Sequence, residues 1–564
     1  MEKALDESTS DDTKDKTKVQ SWEEIMQAIR NILDINMSED KLVELEDLVQ
    51  KYREVKSSSK HQLNQRKVPP PIFSGQWRER AKESKNLLIR KLQLNQSNTW
   101  NFQLKLCLLS FTIFPENSII KKRSLIYWWI GQGLVLQRGG KMAEQVGEEV
   151  YNELLKQGQI EPDDNDLSPP MNRCKMHPLI RYMLISEAEE AGFFYFESKD
   201  KTSPEENQNY SLKSSCMRLI VDGEDEQKYG HLAKDGEVRT VFNVNKQYLS
   251  LKPGSLSNMK QLIVLQLGRW QHSPKYHIEV DDKKFLEDLG VHHKNLKFLS
   301  LRGISRVTTL PDSIVQLVSL EILDLRACHN LEKLPEDIAS LKKLTHLDVS
   351  ECYLIERMPK GIEKLSSLQV LKGLVIGTVR KNPCRISDLQ KLTKLRRLSI
   401  YIGRGAAISD AEFASLRDVE SLCSLTISWG VTSQALQSSV ATIQFLPKQL
   451  EKLELIGIPV ASRPTWLDPH ELKNMKKLYI IGGKLEIWDS QQQNEQWSVE
   501  ILRLKHLKNL RIGNKRDVLK KFPRLKYFAR INCADNDISW YKSWAVEKGS
   551  EGERTRVRAE TVLI

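Results

Sequence analysis

Phe298, Ser300 and Arg302 return 24 residues later as Ile322, Asp324 and Arg326, and again as His346, Asp348 and Ser350. Farther on, Arg397 and Tyr401, and then Tyr479, fall at equivalent places. Rings, guanidinium groups and short polar side chains at a fixed interval suit recognition, because Arg and Tyr are good anchors where proteins meet. They do not suit covalent chemistry. The chain holds no G-x-S-x-G, no H-E-x-x-H and no EF-hand loop. Its eight cysteines, at 107, 174, 216, 328, 352, 384, 423 and 533, include no C-x-x-C pair and no Cys/His spacing that suits zinc. His272, His292 and His293 are expected in loops, without partners at metal-ligand spacing. No catalytic residue, cofactor site or metal site is therefore assigned, and the chain is expected not to be an enzyme.

Something must hold the recurring residues in register, and the leucines between them supply it. Leu296-Leu299-Leu301, Leu320-Leu323-Leu325, Leu344-Leu347-Val349 and Leu368-Leu371 open units of equal length. An L-x-x-L-x-L string at a period of 24 is the signature of leucine-rich repeats. Side chains alternate along a strand, so the leucines point inward and the residues between them line the opposite face. The pattern continues at Leu395-Leu398-Ile400, Leu422-Leu425-Ile427, Leu450-Leu453-Leu455 and Met475-Leu478-Ile480. Leu262-Leu265-Leu267 precedes it and Leu525-Phe528 reads as a last degraded unit. Cys328 and Cys352 follow Leu325 and Val349 by three, where such repeats carry Asn or Cys, and a thiol there can donate to loop carbonyls inside the stack.

Ahead of the array the pattern changes. Residues 1–20 are acidic and polar, reading as a disordered leader and not as a secretory signal. Residues 21–57 carry two apolar stripes with coiled-coil-like spacing, a helical arm that either packs on the next domain or pairs with a partner. Residues 58–75, with Pro69-Pro70-Pro71, read as a linker. A compact, largely helical domain is expected over 76–200, with helices at Leu104–Phe114, Lys122–Gly133 and Met142–Leu155 and with Trp128-Trp129 as core. The repeats are assigned to 205–545 and a polar tail to 546–564.

The net charge of +12 is uneven, with about +10 in each of residues 51–105 and 501–530. Such blocks are solvated faces, or docking sites for an acidic or anionic partner. No run approaches the ~20 apolar residues of a membrane span. Reduced cysteines and the lack of a signal favour the cytoplasm.

The run from Leu104 to Val135, LKLCLLSFTIFPENSIIKKRSLIYWWIGQGLV, resembles the winged helix of plant nucleotide-binding leucine-rich-repeat disease-resistance proteins of the coiled-coil type. Cys107, Phe114-Pro115-Glu116, Leu125-Ile126, Trp129-Ile130 and Gly133 carry the likeness, and repeats follow as in that family. Met176-His177-Pro178 resembles the family's MHD motif, whose histidine touches the nucleotide phosphates; by resemblance His177 is its remnant. The resemblance implies an α/β architecture: a helical arm and winged-helix domain, then a leucine-rich-repeat horseshoe. It implies recognition in defence, with a pathogen effector, a guarded host protein or a full-length immune receptor as partner. The sequence departs from the family in having no G-x-x-x-x-G-K-[ST], the string that wraps backbone N–H groups around phosphates. Pro178 stands where the family has aspartate and offers no side-chain acceptor. Nucleotide switching is thus not expected. A general repeat scaffold without an immune role, and a nucleic-acid or membrane-surface binder acting through the basic blocks, stay open as rivals.

Overall fold

The computed structural model describes residues 99–163, parts of 172–185, 217–220 and, with several gaps, 238–541. The leader, arm, linker and tail expected from the sequence lie outside these residues, as do Cys216, His272 and Pro178. The chain divides into two units, 1–105 and 106–564, and the second carries the architecture that follows.

Helix α1 (Thr99–Leu109) runs into a 3-10 turn at Ser110–Ile113 and stops before Pro115. Helix α2 (Lys122–Gln132) ends on Gly133, whose φ of 78° takes the left-handed conformation that closes a helix cheaply. Helix α3 (Ala143–Lys156) crosses α2 where Gly147 meets Ile126; a Cβ on Gly147 would lie 2.6 Å from that side chain. A small antiparallel sheet, in the order β1 (Ile120–Lys121), β3 (Arg173–Lys175), β2 (Glu161–Pro162), forms the wing. Trp129 is fully buried and donates from Nε1 to Ser110 Oγ at 2.8 Å, so its one polar atom is satisfied inside the core. The expected helices at 122 and 142 thus form within a residue of their expected ends.

Among the described residues the repeats build one sheet of fourteen strands, beside a short parallel pair of β6 (Tyr248–Leu249) and β8 (Glu279–Val280). It begins with β4 (Met217–Ile220), β5 (Thr240–Asn243) and β7 (Val264–Gln266), then β9 (Phe298–Ser300), β10 (Ile322–Asp324), β11 (His346–Asp348) and β12 (Val370–Ile376). It continues through β13 (Arg397–Ile402), β14 (Ser424–Trp429), β15 (Lys452–Ile458), β16 (Lys477–Gly483), β17 (Ile501–Lys505) and β18 (Tyr527–Ile531). Neighbours up to β18 are parallel, and β19 (Ile538–Tyr541) closes the edge antiparallel. The register repeats the sequence period: Leu299, Leu323, Leu347, Leu371, Leu398, Leu425, Leu453, Leu478 and Leu502 stand side by side in one ladder. All are buried in one continuous cluster. Cys328 Sγ donates to Leu301 O and Cys352 Sγ to Leu325 O, each at 3.1 Å, as expected of thiols at that repeat position. Burial pushes the Cys328 thiol up to about 12, which keeps it protonated and inert.

The array is longer than the leucines suggested. Strand β17 belongs to Val499-Leu502-Leu504, a unit opened by valine, and β4 and β5 precede Leu262. Helix α4 (Phe285–His292) fills the return leg of one repeat. It changes the reading of the adjacent histidines: His292 ends the helix exposed, while His293 is buried.

Candidate functional site

The residues expected to meet a partner are on the sheet face opposite the leucine core. Phe298, Ile322, His346, Val370 and Arg397 form one cross-strand ladder on that face; Ser300, Asp324, Asp348, Lys372 and Ser399 form the next. Arg302, Arg326 and Ser350 follow each strand, Tyr401 ends on β13, and Tyr479 stands on β16.

The surprise is what lies on the first part of this face. Phe298 is 4% exposed, Ile322 2%, Ser300 0%, Arg302 4% and His346 4%. They do not face solvent, because the chain's own winged helix lies across them. Gly131 approaches so closely that a Cβ there would meet Phe298 Cβ at 2.5 Å. One turn back on the same helix face, Tyr127 sets its ring against His346, with centroids 4.4 Å apart. Arg397 donates to Tyr127 Oη at 3.2 Å, and Arg302 Nη1 lies 3.4 Å from Ser124 Oγ. At the start of the sheet Gln132 Oε1 accepts from Thr240 Oγ1 at 2.7 Å, and Phe114, Trp128 and Phe242 pack edge-to-face.

Glu144, near the N-terminus of α3, fastens the far end. Its carboxylate is hydrogen-bonded by both Arg123 of α2 and Arg397 of β13. Burial opposes its charge, yet Arg397 and Arg123 outweigh burial and hold the carboxyl down at about 2. Burial pushes His346 down to about 4, so its ring is neutral at physiological pH. Its Nδ1 lies 2.7 Å from Thr345 Oγ1. Below it, Asp324 is raised by burial, whereas Asp348, equally buried, is held down by Lys372 and Arg326. Arg326 also pairs with Glu351. These carboxylates and guanidinium groups satisfy one another across the repeats and so are committed to the array.

The remaining part of the face has a different surface. On β13, β14 and β15 the residues between the core positions stay part-exposed: Ser399 and Tyr401, Ser424, Thr426 and Ser428, Lys452 and Glu454. Lys452 pairs with Glu454 at 2.8 Å. On β16 to β18, Tyr479, Ile501, Tyr527 and Ala529 are buried in a small cluster of their own, so Tyr479, expected to face a partner, packs against its neighbours instead. The expected site residues therefore split. Phe298, Ser300, Arg302, Ile322, His346 and Arg397 belong to an internal joint; Asp324, Arg326, Asp348 and Ser350 to ionic and polar ties on its flank; Tyr401 and Tyr479 to the far part of the sheet.

No motif in the sequence marks Tyr127, Glu144 or Gly131 as part of this joint. One signal was there: α2 is apolar on every side through Leu125, Ile126, Trp128, Trp129 and Ile130, and a helix apolar all round must be covered on more than one side. His177 is part-buried, and its carbonyl accepts from the Arg181 N–H at 3.0 Å. Arg181 in turn donates to the carbonyls of Phe114 and Thr112 at 2.7 and 2.9 Å. Among the described residues Glu363, Cys384 and Asp388 bring ligand atoms within 4.8 Å of one another. Both carboxylates are used locally, Glu363 accepting from Gly361 N–H and Asp388 from Arg385 N–H at 2.8 and 2.9 Å. No helix of the described residues is long and apolar enough to cross a membrane.

Residues 237–534 match the family model described as a leucine-rich repeat region, and residues 113–184 the one described as the winged helix domain of disease resistance proteins. Disease resistance RPP13-like protein 4 of Arabidopsis thaliana is 30% identical over 454 residues, which cover 78% of this chain and 49% of that protein. Disease resistance protein RPP8 of the same plant is 34% identical over 122 residues, 22% of this chain and 13% of that protein. The chain thus spans about half the length of the first relative.

Proposed function

The chain belongs to the leucine-rich-repeat family of plant disease-resistance proteins, and from that premise we propose that it acts in plant defence by holding another protein against its repeat sheet. The observation that carries this reading is the division of the sheet face. The winged helix takes up the strands from β5 to β13, and the strands beyond present hydroxyls and charges in register, over the buried rings of Tyr479 and Tyr527. A regular, laterally extended surface of this kind suits binding to another protein rather than enclosing a small substrate. The partner is a pathogen effector, a guarded host protein or a full-length immune receptor, met in the cytoplasm. The chain works without catalysis and without switching on a nucleotide, since no phosphate cradle stands in this sequence.

Two measurements test the proposal. Plants lacking the gene, challenged with pathogens, should change in susceptibility; unchanged disease across a broad panel speaks for a scaffold outside immunity. Calorimetry of the chain with ADP and ATP should show no one-to-one binding. A dissociation constant of about a micromolar or tighter, ~8 kcal/mol of binding, would reveal a cradle and overturn the switch-free part.

A further inference from the structure

We propose that the strands from β15 to β18 take an extended acidic segment of a protein partner, with Arg503 as its carboxylate clamp; this rests on the reading of the sheet as the partner face. Arg503 stands on β17 beside Tyr479 of β16. Its guanidinium lies 4.8 Å from the Tyr479 ring centroid and 5.5 Å from that of Tyr527 on β18. Lys452 Nζ lies 4.8 Å from the same Tyr479 ring. Cations and rings thus alternate across four strands.

Stacking satisfies the faces of a guanidinium and not its edge. Nε and Nη2 of Arg503 are shielded from solvent and donate to no oxygen, although the residue as a whole stays part-exposed. Buried donors without acceptors are costly and rare in a native fold. Because the residue stays part-exposed, a small turn of the guanidinium on its stem brings these two donors to an arriving carboxylate, which supplies the missing acceptor in the two-pronged geometry that Arg favours. Lys505 follows two positions along the same strand and face. Residues two apart in an extended peptide lie about 6.6 Å apart, the same interval as on the strand. An acidic residue, any residue and a second acidic residue therefore match Arg503 and Lys505 in register.

Charge and ring geometry choose between kinds of partner. This patch carries Lys452, Lys477, Arg503 and Lys505 against Glu454, which Lys452 already holds. A net charge of +3 suits a short acidic segment and falls short of the phosphate run that a nucleic acid needs neutralised. Base stacking requires free aromatic faces, and cations already lie against Tyr479 and Tyr527.

The test uses the full chain and fluorescence anisotropy with a labelled peptide of alternating Glu and Thr, beside one of alternating Gln and Thr. The Glu peptide should bind saturably at physiological salt and the Gln peptide should not. Arg503→Gln should weaken binding about tenfold or more, and Lys505→Gln by less. Arg503→Lys keeps the charge and a stem for the tyrosines yet loses the fork, so it should fall between wild type and Arg503→Gln and serves if the latter misfolds. Equal affinity for the two peptides, or no loss in either Arg503 variant, overturns the clamp. So does tighter, Arg503-dependent binding of oligothymidine or phosphatidylserine vesicles. A disease phenotype lost with Thr426→Arg but kept with both Arg503 variants leaves recognition by the sheet standing and sinks this assignment alone.

Discussion

Strands β9 to β11 and strands β14 and β15 share one leucine ladder and differ on the opposite face, with β13 between them held to the winged helix at Arg397. In the first group the outward residues that open each strand, Phe298, Ile322 and His346, are buried, and Ser300 is inside as well, while Asp324 and Asp348 are part-buried. In the second group burial alternates strictly through β14 and the start of β15, core position by core position. The side chains follow suit. The covered strands offer Phe298, Ile322 and His346 to the helix above; the uncovered ones offer Ser424, Thr426 and Lys452. The repeat motif thus dictates the inner face everywhere and says nothing about the outer one. What lies on the outer face is set by a domain some 170 residues upstream, through α2 reaching back from Lys122–Gln132 to the sheet.

The most severe damage is expected at the core that both groups share. Leu347 is fully buried on β11, in the middle of a cluster that runs unbroken from Val241 to Phe528. Leu347→Asp should cost about 5 kcal/mol, since an unpaired carboxyl must be buried or the strand given up. Because each repeat is stabilised by its neighbours, protease protection should fall on both groups of strands. Unchanged circular dichroism and proteolysis would show that the ladder is not in the register described.

A smaller change should separate the groups instead of destroying both. Glu144→Ala leaves Arg397, which is part of the covered strands, with its buried charge unanswered. Breaking one side of a buried ion pair costs about 3–5 kcal/mol, and partial exposure of Arg123 puts this one at the low end. Hydrogen exchange should accelerate in α2, α3 and β9 to β13 and stay unchanged in β16 to β18. Uniform acceleration along the sheet would mean that the winged helix and the whole array unfold together.

How far the sequence reveals all this depends on the range of the interaction. The ladder was legible because it is local: Leu320, Leu323 and Leu325 state their own period and face. The unit at Val499 escaped because valine replaced its opening leucine, although Leu502 and Leu504 keep the pattern. The winged helix was legible through Phe114, Trp129 and Gly133, which hold a compact local core and its turn. The joint between the domains was not. Tyr127 and His346 lie far apart in the chain, and neither belongs to a motif that names the other. Phe298 and Ile322 were in fact too apolar for a face meant for solvent, and the all-round apolar α2 needed a second cover. Those two surpluses fit each other, but only the fold says so.

Acid should part the two groups of strands most gently. His346 is held at about 4, against an ordinary value of 6.5, first by burial and then by the surrounding Arg397, Lys372 and Arg123, with Glu144 pulling the other way. When the joint opens, the ring regains its ordinary affinity, so the open form binds the proton more readily. The closed joint should therefore keep its full stability above about pH 6.5 and lose it as pH falls towards about 4. The loss is bounded at on the order of 3 kcal/mol from a shift of this size. Glu144 has the opposite chemistry and a separate window: its contribution is complete above its ordinary 4.5 and disappears as pH falls towards about 2. Tyr127 faces the ring without adding charge at these pH values, because burial raises its hydroxyl. Exchange of α2 amides, followed from neutral pH down to 4.5 after correction for intrinsic rates, should show progressive opening in the native chain. His346→Gln should flatten that slope while leaving β16 to β18 unaffected. An unaltered slope in His346→Gln would move the acid response to another group and leave the joint insensitive to this histidine.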